Sequence, residues 1–186
     1  MTTALLLAHP NLAASRANRA LLSGLDDLPG LEIVDLYAAY PDEKIDLSAE
    51  RDRLLRADRL VLQFPMFWYS TPPLLKRWQD VVLTPLIYLE PNTASLLKGL
   101  PVMAATTTGG PAASYRQTGM SIEELFAPLK ATARKARWEW QTPFALHDVR
   151  ALDDEAMSAA SQNFRSAVLS MPTRSVVARR LAPSAT

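Results

Sequence analysis

The residues best suited to chemistry lie in three short stretches, each of which follows an apolar run. The first stretch combines a histidine with a helix-capping serine, and the residues concerned are His9, Ser15, Arg16, Ala17 and Asn18. An imidazole, a hydroxyl and free amides at a helix N-terminus suit a phosphate group. The first 23 residues contain no glycine, which excludes a Walker A loop and a Rossmann glycine-rich turn. The stretch therefore predicts another kind of phosphate site. Ser15 as a plain helix cap and His9 as an ordinary strand-end histidine are the alternatives.

The second and third stretches suit a planar ring. The second consists of Pro65, Met66, Phe67, Trp68 and Tyr69, whose aromatic rings could flank such a ring or simply pack in a core. The third consists of Thr107, Thr108, Gly109 and Gly110, and it uses two of the six glycines in the chain. Glycine lets a backbone approach a ligand closely, although a Gly-Gly pair can also be only a turn. Together the stretches predict a planar, phosphate-bearing cofactor, and flavin mononucleotide (FMN) fits best.

Alternating strands and helices must position these stretches. Apolar runs predict four strands, at residues 4–8, 31–36, 59–64 and 101–105, and the alternation of Trp138, Trp140 and Thr142 predicts a fifth. Helical patterns lie between them and after the last one, and in helix 48–57 the charged residues, Glu50 among them, predict a solvated face. This order predicts an α/β fold with a parallel sheet, in which ligands bind at the carboxyl ends of the strands. Residues 84–97 are predicted to be a long surface connection.

The composition narrows the class of protein. The chain of 186 residues fits one domain, predicted over residues 1–171, followed by a disordered tail over residues 172–186. Its formal net charge is +1, so no global field favours nucleic acid. It has no cysteine and two histidines, which argues against disulfides, thiolate catalysis and a metal site. With no basic or long apolar segment at its start, the chain is expected to be cytoplasmic.

The motifs and their order resemble a known family. They are residues 8–10 with 15–18, residues 64–69 running into 72–76, and residues 107–110 followed by Tyr115. In these residues the chain resembles the flavodoxin-like NAD(P)H:quinone oxidoreductases over about residues 5–169. Residues 37–42 and 140–144 make it most similar to bacterial ancillary subunits of glutathione-regulated potassium-efflux systems.

The resemblance implies a five-stranded parallel sheet in the order 2-1-3-4-5 with helices on both faces. It implies FMN with its phosphate held by His9, Ser15 and Asn18, and ping-pong transfer of hydride from NAD(P)H to a quinone or similar acceptor. Tyr115 would donate a hydrogen bond near the flavin, or else only line the pocket. A homodimer and peripheral association with a membrane potassium-efflux protein are further implications. A regulatory subunit of such a transporter and a flavodoxin-type electron carrier are the alternative functions.

Two departures from the family pattern bear on the substrate side of the site. Residues 86–91 replace a glycine-rich segment that relatives commonly have, which leaves the shape of the substrate mouth open. Ser121 stands where some relatives have a histidine six residues after the tyrosine, which leaves a Tyr/His proton-donating pair in question. The electron acceptor and the choice between NADH and NADPH do not follow from the sequence.

Overall fold

One parallel sheet forms the centre of the molecule. The computed structural model describes the backbone of residues 1–181 and the side chains of residues 1–177. The strands are β1 (Thr3–Leu7), β2 (Leu31–Asp35), β3 (Arg59–Pro65), β4 (Pro101–Thr107), β5 (Glu139–Trp140) and β6 (Phe144–Leu146). Their order is β2-β1-β3-β4-β5, with β6 also paired to β4, and all the pairs are parallel. The predicted flavodoxin-like α/β fold is confirmed.

The fifth position of the sheet is divided between two short strands. β5 pairs with Pro101 and Val102 at the start of β4, and β6 pairs with residues from Ala105 to Thr107 at its end. Pro143 lies between the two strands and has no N–H to donate to the ladder. The prediction of one continuous fifth strand was therefore wrong. As a consequence of the division, β6 ends beside the end of β4.

Helices cover both faces of the sheet. In chain order they are α1 (Arg16–Ser23), α2 (Leu36–Ala39), α3 (Leu47–Arg56), α4 (Pro73–Trp78), α5 (Thr84–Tyr88), α6 (Pro91–Leu96), α7 (Ala112–Gln117), α8 (Ile122–Leu125), α9 (Ala127–Lys135), α10 (Asp154–Ser170) and α11 (Arg174–Leu181). Alternate residues of β1 point to opposite faces: Leu5 and Leu7 pack in the core beneath α1 and α10, while Leu6 packs in the core beneath α3, α4 and α9. Within residues 1–181, no helix is both long and apolar enough to cross a membrane.

Two segments predicted to be irregular are helical. Residues 84–97 contain α5 and α6, and a π-helical turn, Gln79–Leu83, joins α4 to α5. Pro85 and Pro91 lie in the first turns of α5 and α6, where a missing N–H costs nothing. Residues 174–181 form α11 and are not a disordered tail. The Arg174 side chain donates to the carbonyl of Leu55 at 2.9 Å, and Val177 is buried. Residues 182–186 of the predicted tail lie outside the described residues.

Glu50 of α3 is buried and not on a solvated face. Its carboxylate accepts hydrogen bonds from the Tyr40 hydroxyl at 2.6 Å and the Trp78 indole at 2.8 Å, and it also pairs with Arg53. Burial and the hydrogen bond to Glu50 raise the pKa of Tyr40 to about 12. A buried carboxylate must be paired and hydrogen-bonded to be tolerated. This cluster therefore fixes α3 against α4.

Candidate functional site

The three predicted stretches meet at the carboxyl edge of the sheet. The side-chain amide of Asn18 donates to the Thr107 hydroxyl at 3.0 Å, which joins the first stretch to the third. The main-chain N–H of Met66 donates to the Thr107 carbonyl at 2.9 Å, which joins the second stretch to the third. The rings of Tyr69 and Tyr115 make an edge-to-face contact with their centroids 6.0 Å apart. Residues separated by up to about half of the chain thus line one region.

The start of α1 presents hydrogen-bond donors. Ser15 is the N-cap, and its hydroxyl oxygen accepts from the Asn18 amide at 3.3 Å. Within the part of the chain that the structure describes, the amides of Arg16 and Ala17 have no hydrogen-bond partner. The Arg16 side chain donates to the Leu152 carbonyl and to Asp154, both at 2.6 Å. The main-chain amide of Arg16 is left for a ligand at the helix start.

His9 lies at the end of β1, beside this helix start. Its Nδ1 accepts a hydrogen bond from the Asn11 amide at 3.1 Å, so the neutral ring carries its proton on Nε2. Burial lowers the pKa of His9 from its ordinary value of 6.5, and the charge of Asp35 opposes this shift. The neutral imidazole can therefore donate through Nε2.

A buried glutamine supports the first stretch from below. Gln63 of β3 is fully buried, and its side-chain amide donates to the carbonyl oxygen and to Oδ1 of Asn18 at 3.1 and 3.2 Å. Asn18 is itself only 1% exposed. Sequence reasoning missed Gln63, although a single polar residue between the apolar residues of a buried strand was the signal that could have found it.

The second stretch forms a tight two-residue turn. Phe67 and Ser70 exchange two main-chain hydrogen bonds of 3.0 Å, and the residues between them have positive φ, 46° for Trp68 and 64° for Tyr69. Positive φ at both central positions is the type I′ pattern, which normally takes asparagine and glycine. The Trp68 side chain is 91% exposed, whereas Tyr69 reaches Tyr115. The turn holds two aromatic residues in a conformation that they rarely adopt.

The third stretch is fixed by a second histidine. The Thr108 hydroxyl donates to the Gly110 carbonyl at 2.8 Å and lies 2.9 Å from Nδ1 of His147. A hydroxyl has one proton, so Nδ1 of His147 must be the donor, and its Nε2 is an acceptor in the neutral ring. Burial lowers the pKa of His147. Its ring lies 5.8 Å from that of Tyr115.

His147 is a second site residue that sequence reasoning missed. It follows β6, and its being one of only two histidines in the chain was the available signal. Ser121, where some relatives place a histidine, makes a capping box with Glu124 at the start of α8. Residue 121 therefore has a structural role here, and the imidazole beside Tyr115 comes from the residue that follows β6.

The space over the glycines is open. A Cβ on Gly109 would meet no atom nearer than Arg150 Nε at 3.9 Å, and one on Gly110 none nearer than Ser114 Oγ at 3.7 Å. Neither glycine is required by packing within the chain. A cavity of about 250 Å³ adjoins Gly110, and Met66, Trp68, Tyr69, Ser114 and Tyr115 complete its wall.

A larger groove of about 430 Å³ shares Met66 and Tyr69 with this cavity. Its walls come from α4, α5, α8 and α9, and they include Ile87 and Tyr88. Residues 86–91, which differ from the family pattern, therefore contribute to the larger groove. The cavity beside Gly110 is formed without them.

Comparison with known proteins agrees with the fold. Residues 1–168 match a family described as having a flavodoxin-like fold. The chain belongs to this flavodoxin-like family. It is 40% identical to the glutathione-regulated potassium-efflux system ancillary protein KefF of Klebsiella pneumoniae, over 87% of this chain and 91% of that protein.

Two solved structures are also similar. The general stress protein 14 of Treponema denticola, solved in complex with FMN, has 32% identity and a TM-score of 0.82, covering 89% of this chain and 97% of that one. A structure described as the thermophilic tryptophan halogenase of Streptomycin violaceusniger has 35% identity and a TM-score of 0.84, covering 89% of this chain and 98% of that one. The names of these relatives point to different roles, so they establish the family and not one reaction.

Proposed function

We propose that the protein binds FMN and acts as an NAD(P)H:quinone-type oxidoreductase. The observation that carries the proposal is the juxtaposition of a donor-rich helix start with an aromatic and glycine-lined cavity at one edge of the sheet. The free amides of α1 suit a phosphate, and the open space over Gly109 and Gly110 allows a ring to approach the backbone. A relative of 32% identity contains FMN.

Each stretch would hold one part of the cofactor. The amides of Arg16 and Ala17, Nε2 of His9 and the hydroxyl of Ser15 would donate to the phosphate. Asn18, which is buried, would act by holding Ser15 and Thr107 in place. The main chain of residues 65–69 and of Thr107, Thr108, Gly109 and Gly110 would border the ring. When bound, FMN supplies hydride chemistry that the protein side chains lack.

Tyr115 and His147 are the groups that could move or hold a proton in this site. Tyr115 lines the cavity, and its hydroxyl can donate to an oxygen of a bound acceptor. His147 is held by Thr108 with Nε2 as its acceptor atom, so at neutral pH it can orient a donor beside it. A flat acceptor such as a quinone suits a cavity walled by Met66, Trp68 and Tyr69. NAD(P)H as the donor is part of the same proposal, and it rests on the motif resemblance.

The proposal is tested with the purified protein. We expect bound flavin in its absorption spectrum and NAD(P)H oxidation that depends on an added quinone. Tyr115→Phe should retain FMN and lower kcat by roughly a hundredfold or more, the scale of a lost proton donor. Ser15→Ala and Asn18→Ala should instead weaken FMN binding. If saturating FMN neither binds nor supports NAD(P)H oxidation, the proposed function is wrong.

A second candidate is an ancillary subunit of a potassium-efflux system. It is favoured by 40% identity to KefF over nearly the full length of both chains. In that case the protein would be cytoplasmic, associate with the inner face of the membrane and bind the transporter, with catalysis secondary. Co-purification with a potassium-efflux protein tests the association, and unchanged potassium efflux after deletion of the gene would contradict it. A homodimer, which the resemblance implies, is testable by analytical ultracentrifugation.

A further inference from the structure

We propose that Gln63 is a positioning residue that sets the direction of a buried chain of hydrogen bonds, so that the Ser15 hydroxyl donates to a phosphate group. The inference rests on the proposed function, because the phosphate is that of FMN. It goes further by assigning a role to a buried residue that would not touch the cofactor. This chain of hydrogen bonds runs from Gln63 to Asn18 and from Asn18 to Ser15 and Thr107.

The first link has only one possible direction. Gln63 faces the main-chain carbonyl of Asn18 at 3.1 Å, and a carbonyl can only accept. Gln63 must therefore present its NH₂ group there. Because that group also lies 3.2 Å from the side chain of Asn18, the atom of Asn18 facing it must be the acceptor Oδ1. The NH₂ group of Asn18 is then directed away from Gln63.

The second link follows from the first. The two hydrogens of the Asn18 NH₂ group are given to the Ser15 oxygen at 3.1 Å and the Thr107 oxygen at 3.0 Å. Ser15 also accepts from the Asn18 amide at 3.3 Å, so both lone pairs of its oxygen are used. The only remaining capacity of Ser15 is its own O–H, which must donate. This hydroxyl lies at the start of α1, beside the free amides of Arg16 and Ala17.

This polarity matches a phosphate. Phosphate oxygens that carry charge only accept hydrogen bonds, and a phosphate monoester carries close to two negative charges at neutral pH. If the side-chain amide of Asn18 were reversed, the Ser15 hydroxyl would donate its hydrogen to Oδ1 of Asn18. It would then present a lone pair to the ligand. By fixing the orientation of the Asn18 side chain, Gln63 therefore prevents repulsion between a lone pair of Ser15 and the phosphate oxygens.

Gln63 is a costly residue for a structural role alone. Its Oε1 is buried and has no hydrogen-bond partner among the described residues. An unpaired buried acceptor destabilises a fold, and the strand residues around it, Leu62 and Phe64, are apolar. A role in ligand binding gives a reason for this amide that packing does not.

The test compares FMN with riboflavin, which has the same ring but no phosphate. Kd values are measured by flavin fluorescence quenching with the apoprotein. In Gln63→Met, which is similar in length but has no donor, we expect the Kd for FMN to rise by roughly tenfold or more, the worth of a hydrogen bond to a charged group. The Kd for riboflavin should change less than about threefold, within the usual scatter of such effects. Thr106→Val is the matched control. It removes one buried hydrogen bond of β4, from the Thr106 hydroxyl to the Phe64 carbonyl, which is not part of the chain of hydrogen bonds that begins at Gln63.

A double-mutant cycle locates the effect. In a protein that already carries Ser15→Ala, Gln63→Met should cause no further loss of the preference for FMN over riboflavin. The reason is that the hydroxyl that Gln63 orients is absent. Gln63→Glu, which reverses the Asn18 amide, should lose the preference as well. An unchanged ratio of the two Kd values in Gln63→Met, or in Ser15→Ala alone, would overturn the inference, as would equal loss of FMN and riboflavin. A wild-type protein that does not bind FMN would overturn the proposed function and this inference with it.

Discussion

Gly24 and Gly109 lack a side chain for opposite reasons. A Cβ on Gly24 would lie 2.2 Å from Oγ and 2.9 Å from the main-chain oxygen of Ser161, where α1 packs on α10. A Cβ on Gly109 would meet nothing nearer than 3.9 Å. At the residue scale, the first glycine is required by packing within the chain, and the second leaves room for something that is not part of the chain.

Substituting each glycine separates the two reasons. Gly24→Ala should lower the free energy of unfolding by about 1–3 kcal/mol, because the main chain of α10 must move. Gly109→Ala should change it by less than about 0.5 kcal/mol but should weaken FMN binding. Urea unfolding of the apoprotein and FMN titration measure both quantities for both variants. A stable Gly24→Ala, or a Gly109→Ala that binds FMN normally, would refute the respective assignment.

At the scale of elements, the turn between β3 and α4 is strained. Trp68 and Tyr69 have positive φ, and each such residue other than glycine costs on the order of 1 kcal/mol. Two main-chain hydrogen bonds between Phe67 and Ser70 hold the turn. Strain of this kind persists where the surroundings determine the conformation, and here the turn aims Tyr69 at Tyr115 across the cavity.

Replacing Trp68 and Tyr69 should stabilise the fold and weaken FMN binding. Trp68→Asn together with Tyr69→Gly gives the pair that a type I′ turn favours, so the free energy of unfolding should rise by about 1–2 kcal/mol. Loss of the Tyr69 ring from the cavity wall should at the same time weaken FMN binding. Tyr88→Asn, which removes an exposed aromatic ring of α5 at a negative φ, is the control and should not stabilise the protein. Urea unfolding without FMN decides the matter, and a less stable double variant would contradict the prediction.

At the scale of the whole molecule, both histidines of the chain couple stability to pH. Burial lowers the pKa values of His9 and His147 below 6.5. As the pH falls below 6.5, the unfolded chain takes up protons that the folded chain does not yet bind, so protonation favours unfolding. The free energy of unfolding should therefore decrease as the pH falls from 7 through 6.5 and below.

The contribution of the histidines can be isolated because there are only two. In the apoprotein, His9→Gln combined with His147→Gln should flatten the dependence of the free energy of unfolding on pH in this range. The measurement is urea unfolding at a series of pH values from 7 downward. An unchanged slope in the double variant would show that the folded state does not lower these pKa values.

The sequence by itself determined the order of the main strands and helices and, through it, the place of the candidate site. Apolar runs and the Ser15 cap are local signals, and parallel strands bring the ends of β1, β3 and β4 to one edge whatever their exact packing. This is why the sequence alone predicts that the three stretches lie in one region. The same local signals failed at residues 84–97 and 174–181, where packing on the rest of the protein stabilises helices.

Only the tertiary structure decided which side chains complete the site. Gln63 meets Asn18 across 45 positions of the chain, and Thr108 meets His147 across 39. Neither contact has a local signature in the sequence. Hydrogen bonds between residues so far apart in the sequence depend on how a helix packs on a strand and on where β6 pairs with β4. A local pattern can predict an element, but a bond between distant elements exists only after they have packed.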